Sequence, residues 1–146
     1  MKRFAVFASG NGSNLQAIIE ALKKKKIAAN LAVVISDNKD AFALTRALKA
    51  GFPTVTVDPK TFKDRLSMDK AMIKELKDFN VEFVVLAGYM RILSAHFVRT
   101  FRHKLLNIHP SLLPSFKGAH AIRDAFAAGV NATGVTVHFV DEKVDH

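Results

Sequence analysis

The sequence predicts an α/β domain with a mostly parallel central sheet and helices on both faces. Short apolar runs typical of buried strands alternate along the chain with segments whose apolar residues recur at helical spacing. Such alternation favours a parallel sheet, because each helix carries the chain back before the next strand begins. The 146 residues, 49% hydrophobic and 24% charged, show no linker or repeat, so we expect one domain over residues 1–146.

The first half of the chain is predicted to contain three strands and two helices. In order, these are a strand at Arg3–Ala8, a helix whose apolar face is Leu15, Ile18, Ile19 and Leu22, a strand at Leu31–Ile35, a helix at Phe42–Ala50 and a strand at Thr54–Val57. The strand at Leu31–Ile35 is a continuous apolar run rich in β-branched residues, which indicates burial on both faces of the sheet. Gly51 is placed to end the second helix in a left-handed conformation.

The second half continues the alternation. Its predicted elements are a helix with inner face Met68, Met72, Leu76 and Phe79, a strand at Val81–Leu86, a short helix at Ser94–Phe101, a strand at Leu105–His109, a helix at Ile122–Ala128 and a strand at Thr133–Val140. Pro110 stops the fourth of these because it has no N–H to donate. The edge near Val140 is expected to be uncovered, which makes a homodimer plausible.

Composition narrows the class of protein. The net charge is +9, and the dense run Lys23–Lys26 is interpreted as a solvated helix end, where cations suit the helix dipole. No basic stretch is interleaved with stacking aromatics, so anionic small substrates are favoured over nucleic acid. The chain shows no signal peptide, no apolar run of about 18 residues and no cysteine. We therefore expect a cytoplasmic protein without membrane contact, and no metal site, since metal-ligand spacings are also missing.

The loop Ser9–Asn14 follows the first predicted strand and precedes a helix. Gly10 and Gly12 permit a close backbone approach to a ligand, while Ser13 and Asn14 add donors and a candidate N-cap. A helix N-terminus at this place favours an anion. Leu15 stands where a dinucleotide motif would have its third glycine, and no Lys follows as in a P-loop. The loop predicts a phosphate site; an ordinary tight turn is the alternative.

Asn107 and His109 lie two residues apart at the end of a predicted strand, so their side chains point the same way. An amide beside an imidazole suits a carbonyl reaction, because the amide can hold an oxyanion and the imidazole can move a proton. A polar strand end satisfied by local backbone is an equally good interpretation of these two residues alone. Among weaker candidates, His120 and His138 could line a pocket, and Met68 and Met90 are expected in the core.

Four stretches together resemble phosphoribosylglycinamide formyltransferase, a folate-dependent family of purine synthesis. They are SGNGSNLQ at residues 9–16, LAGYMRIL at 86–93, LNIHPSLLP at 106–114, and GVTVHFV at 134–140 with Asp145. The resemblance implies a Rossmann-like formyltransferase fold. It also implies 10-formyltetrahydrofolate as co-substrate and glycinamide ribonucleotide as the acceptor.

The resemblance assigns roles to particular residues. The acceptor phosphate would bind at Gly12, Ser13 and Asn14, the folate cleft would contain Arg65, Met90, Arg91, Ile92 and Leu93, and Asn107, His109 and Asp145 would be catalytic. Family members continue beyond the catalytic Asp with a further strand and helix, so a truncated C-terminus is expected. Two alternatives stay open: a formyltetrahydrofolate hydrolase of the same fold, and an inactive fragment that only binds ligands.

Overall fold

The computed structural model describes residues 1–108 and Phe126, and its centre is a five-stranded parallel sheet in the order β3-β2-β1-β4-β5. The strands are β1 (Lys2–Phe7), β2 (Ala29–Ser36), β3 (Thr54–Thr56), β4 (Phe83–Leu86) and β5 (Leu105–Asn107). The helices are α1 (Ser13–Lys23), α2 (Phe42–Lys49), α3 (Arg65–Asp78) and α4 (Ala95–Thr100), with a 3-10 turn at Pro59–Thr61.

Alternating residues of β1 divide the core into two layers. Phe4 and Val6 pack with the apolar faces of α1 and α2, whereas Ala5 and Phe7 pack with those of α3 and α4. Helices therefore cover both faces of the sheet, and the predicted fold class is confirmed. Phe126 is buried against the first layer, with its ring edge-on to Phe4 at 4.7 Å between centroids.

The predicted elements within residues 1–108 all occur, with ends that differ by a few residues. The 3-10 turn was not predicted, and β4 begins at Phe83 rather than Val81. The reason is that the Val81 N–H donates back to the Leu76 carbonyl at 2.9 Å and so completes the end of α3. The predicted helix at 122–128, apart from Phe126, and the strand at 133–140 lie outside the described residues.

Three helices end in the same way. The residue after the C-cap has positive φ in each case, namely Lys25 (56°), Gly51 (87°) and Asn80 (56°). In each, the following N–H donates to a carbonyl five residues earlier, as with Phe52 and Ala47 at 2.9 Å. These are Schellman motifs, which satisfy the last helical carbonyls. Gly51 was predicted in this role.

The strand order creates a crevice between β1 and β4. From β3 at one side of the sheet, the chain passes through α3 to β4 on the other side of β1. Open parallel sheets bind ligands at such a reversal, beyond the carboxyl ends of the strands. We call this side of the sheet the carboxyl edge. Within the described residues, no helix is both long enough and apolar enough to cross a membrane.

Candidate functional site

The glycine-rich loop lies at the carboxyl edge, directly after β1. Gly12 is the N-cap of α1, with φ 82° and ψ 25°, and no side chain caps the helix. The expectation that Ser13 or Asn14 supplies a side-chain cap is therefore wrong: Ser13 is exposed in the first turn and Asn14 is buried there. Amides in an uncapped first turn lack intrahelical partners, which is the condition for binding an anion.

Glycine is required at position 12 for two reasons. The positive φ is costly for any residue with a side chain. A Cβ at this position would also lie 2.7 Å from both Cα and Cβ of Ala43 in α2. The Ala43 N–H donates to the Gly10 carbonyl at 3.0 Å, so α2 holds the loop from one side.

Ser9 joins this loop to the segment after β4. Its N–H donates to the Gly88 carbonyl at 3.1 Å, and its hydroxyl oxygen accepts from the Met90 N–H at 2.8 Å. The backbone leaves β4 through Gly88, which has φ 75°. The two chain segments that flank the crevice are thus hydrogen-bonded to each other at the strand reversal.

A cavity of about 470 Å³ lies beside this junction. Its lining comes from the start of α3, the preceding turn and the segment after β4: Pro59, Phe62, Lys63, Asp64, Arg65, Met68, Asp69, Tyr89, Met90, Arg91 and Ile92. Four of the five residues expected along a folate cleft are among them. Leu93 is instead half-buried against the α3–α4 layer of the core. The volume is within the usual range for small-molecule sites.

Met90 corrects one expectation from the sequence. It is 79% exposed, whereas Met68 is 5% exposed, so only Met68 belongs to the core. The backbone N–H of Met90 donates to Ser9 at the rim of the crevice, and the exposed Met90 side chain contributes to the lining of the cavity.

Arg91 is held by an acidic residue at the end of β2. Its Nε donates to Oδ2 of Asp37 at 3.0 Å, and the Asp37 side chain is only 7% exposed. The other oxygen, Oδ1, is buried and has no partner among the described residues. A buried carboxylate oxygen without a hydrogen-bond partner destabilises the folded state. The pairing of Asp37 with Arg91 therefore indicates a role in function rather than in stability.

Tyr89 and Asp69 form the inner wall of the cavity. Burial raises the pKa of the Tyr89 hydroxyl, and the charges of Asp37 and Asp69 raise it further, so this phenol stays protonated. It donates to the Met72 sulfur at 3.6 Å. Oδ2 of buried Asp69 accepts from the Ser94 N–H at 2.6 Å, which joins α3 to the start of α4.

Asn107 ends β5 at the carboxyl edge and is half-buried, opposite Leu86 of β4. It is one of three residues expected to be catalytic. His109 and Asp145 lie outside the described residues, as do the weaker candidates His120 and His138. Residues 1–108 and 126 contain no group of three His, Cys, Asp or Glu that could hold a metal ion.

Several residues at this edge were not singled out from the sequence. Lys63 lines the cavity, Asp37 pairs with Arg91, and Arg46 of α2 bonds the glycine-rich loop. Asp37 and Arg46 make contacts across long sequence separations, which periodicity cannot reveal. A signal did exist for Asp37, because it directly follows a buried strand, and open parallel sheets place their binding residues just after the carboxyl ends of the strands.

Comparison with known proteins agrees with this architecture. The formyl transferase family pattern matches residues 2–146. Phosphoribosylglycinamide formyltransferase of Bacillus subtilis is 43% identical over 145 residues, covering 99% of this chain and 74% of that protein. The trifunctional purine biosynthetic protein adenosine-3 of Bos taurus is 49% identical over 143 residues, covering 98% of this chain. The chain spans only 14% of that relative's length.

Solved structures show the same relationship. The crystal structure of glycinamide ribonucleotide transformylase 1 from Symbiobacterium toebii superposes with a TM-score of 0.78 at 41% identity, covering 99% of this chain and 68% of that one. Phosphoribosylglycinamide formyltransferase from Bacillus halodurans gives a TM-score of 0.78 at 38% identity, with coverage of 99% and 75%. On its sequence match and its parallel sheet alike, this chain belongs to the formyl transferase family.

Proposed function

We propose that this chain transfers a formyl group from 10-formyltetrahydrofolate to the amine of glycinamide ribonucleotide. The observation that supports the proposal is the contact between two candidate ligand sites, which we call seats. The uncapped loop at Gly12 and the cavity beside Met90 are joined by the hydrogen bond between Ser9 Oγ and Met90 N, at 2.8 Å. A two-substrate transfer needs two adjacent seats, and the names of the B. subtilis and S. toebii relatives state the same acceptor chemistry.

The acceptor would bind through its phosphate at the amides of Gly12, Ser13 and Asn14. This assignment is supported by the position of the loop at a helix N-terminus without a side-chain cap. Gly12 keeps its backbone accessible because no side chain can be present there. The net charge of +9 favours the approach of such an anion.

The formyl donor would occupy the cavity near Arg65, Met90, Arg91, Ile92 and Leu93. Positively charged and apolar side chains both line this cavity. The lining includes Arg65, Met90, Arg91 and Ile92. That mixture suits a ligand with an aromatic body and a carboxylate tail. Leu93 would contribute through its packing beneath the segment, since its side chain is half-buried.

The chemistry would take place at Asn107, His109 and Asp145. The acceptor amine attacks the formyl carbon, and the carbonyl oxygen becomes a tetrahedral oxyanion that the Asn107 amide and the His109 imidazole stabilise. The new C–N bond remains when the bond to the folate nitrogen breaks. The proton lost by the amine is passed to that folate nitrogen, with Asp145 holding the imidazole and a relaying water.

Steady-state kinetics of Asn107→Ala test this mechanism. The variant should lose roughly a hundredfold or more in kcat, because one oxyanion donor is removed from the transition state. Asn30→Ala is the matched control, since Asn30 is an exposed residue of β2 at the opposite end of the strands. Its kcat should equal that of the unmodified chain.

Three results would contradict the proposal. Formate release in the absence of an amine acceptor would indicate a hydrolase instead. Binding of neither substrate by the folded chain, measured by calorimetry, would reject the assignment. An Asn107→Ala variant within twofold of the unmodified kcat would remove Asn107 from the chemistry.

A further inference from the structure

Arg46 extends from α2 to the glycine-rich loop and bonds one loop residue twice. Its Nε donates to the Asn11 backbone carbonyl at 2.8 Å, and its Nη2 donates to the Asn11 side-chain oxygen at 2.6 Å. Nη1 lies 3.4 Å from the side-chain oxygen of Gln16, one turn into α1. A planar guanidinium can make this fork of parallel bonds, whereas an ammonium cannot.

The Arg46 side chain is restrained, and its charge is not neutralised by an ion pair among residues 1–108. Its guanidinium lies 4.8 Å from the centre of the Phe42 ring, which restricts its rotation. Lys2, Lys74 and Arg91 form ion pairs with Glu82, Asp78 and Asp37, and none of these carboxylates is paired with Arg46. The positive charge of Arg46 therefore acts on the loop that it contacts.

The bond to the Asn11 carbonyl has a directional consequence. In a trans peptide the C=O and the next N–H point in opposite directions. Holding the Asn11 carbonyl toward Arg46 thus points the Gly12 N–H away from α2, and hydrogen bonding at the carbonyl polarises that N–H.

We propose that Arg46 is a positioning residue for the phosphate seat, acting through Asn11 to aim the Gly12 amide and adding positive charge beside it. This inference rests on the proposed function, because it takes the acceptor phosphate as the anion. Arg46 itself needs no contact with the ligand.

Kinetics with two acceptors test the inference: glycinamide ribonucleotide and its dephosphorylated riboside. Arg46→Ala should lower kcat/KM for the ribonucleotide about tenfold, since a charge-assisted bond is lost. For the riboside, kcat/KM should stay within twofold, as should the KM for 10-formyltetrahydrofolate. Lys49→Ala, which removes an exposed cation from the same helix, is the control and should leave both acceptors unchanged.

Arg46→Lys is the second variant, because Arg46→Ala also removes packing on Phe42. Lysine keeps the positive charge and the aliphatic part of the side chain but cannot form both hydrogen bonds to Asn11. The kcat/KM of Arg46→Lys for the ribonucleotide should therefore lie between those of the unmodified chain and Arg46→Ala. An Arg46→Ala variant with unchanged discrimination between the acceptors would overturn the inference. If the unmodified chain formylates neither acceptor, the proposed function itself fails, and the two failures are thereby distinguished.

Discussion

The loop after β1 and the segment after β4 meet at the same edge of the sheet but are built differently. Around Gly12 the loop presents backbone and packs directly beneath Ala43. The segment after β4 presents side chains, with Met90 79% and Ile92 48% exposed. In the proposed function, the loop would recognise its ligand by backbone shape and charge, and the segment would recognise its ligand by side chains that can be replaced. Substitutions that displace the loop backbone should therefore act more strongly than substitutions of side chains around the segment.

The largest effect is expected for Gly12→Ala. The added Cβ would meet Ala43 at 2.7 Å at a φ of 82°, so either the loop or α2 must move. We expect a loss of roughly 1–3 kcal/mol in the free energy of unfolding, and an increase of more than tenfold in the KM for the acceptor. Chemical denaturation and steady-state kinetics measure the two.

Gly10→Ala is the matched control for Gly12→Ala. A Cβ at Gly10 would meet nothing within 4 Å, and Gly10 does not have the positive φ of Gly12. Its unfolding midpoint should equal that of the unmodified chain. If both variants lost the same stability, the close approach to Ala43 would not be what requires glycine at position 12.

Asp37→Ala should act on the other region. Without Oδ2, Arg91 loses its restraint, and the KM for 10-formyltetrahydrofolate should rise roughly fivefold while the KM for the acceptor stays constant. The Tm should not fall, because the buried unpaired Oδ1 is removed as well. Asp40→Ala, at an exposed residue three positions later, is the control. A lower Tm with an unchanged KM for 10-formyltetrahydrofolate would show that Asp37 stabilises the fold and does not contribute to binding of the formyl donor.

Ser9→Ala removes one of the two hydrogen bonds between the regions and leaves the bond from the Ser9 N–H to the Gly88 carbonyl in place. The Met90 N–H then loses its acceptor at 2.8 Å, but this exposed backbone can be solvated, so the effect should be small. We expect both KM values to rise about two- to threefold, corresponding to part of one hydrogen bond. An increase in only one KM would show that the seats are positioned independently.

The smallest effect concerns Asp64, which caps α3 at the outer wall of the cavity. The Ser67 N–H donates to its carboxylate, which holds the pKa of Asp64 below its ordinary value of 3.8. A lowered pKa stabilises the fold above the unfolded value, and this contribution is lost as the pH falls through the folded value. Asp64→Asn should therefore melt slightly below the unmodified chain at pH 7. The difference should disappear in acid, and a difference that persisted well below pH 3.8 would contradict this account.

Much of the fold followed from periodicity, because buried strands and amphipathic helices repeat at different intervals. The positive φ angles at the helix ends were only partly predictable. The glycine at position 51 indicates such an angle, whereas no sequence feature predicts the φ of 56° at Lys25. The N-cap was wrongly assigned to Ser13 or Asn14, because the helix begins after Gly12, a residue without a side chain that packs against Ala43 of a different helix. Contacts such as Asp37 with Arg91 depend on strand order, which the sequence alone did not specify.

For the candidate site, the motifs singled out the loop, the segment after β4 and Asn107, but they did not identify the residues that hold these three features in place. Arg46 was missed because its fork joins residues 35 positions apart. Ser9 was noticed as the start of a loop and not as the acceptor for Met90. Supporting residues of this kind are recognised only when the elements around them have been assembled.

The repeated helix ends have a practical consequence for engineering this protein. The turns at Lys25, Gly51 and Asn80 follow the helices and precede strands, so they lie at the side of the sheet away from both seats. Glycine at Lys25 or Asn80 would relieve the left-handed conformation there without touching the crevice. Thermal robustness and substrate preference could thus be optimised in separate rounds of mutagenesis, on opposite sides of one sheet.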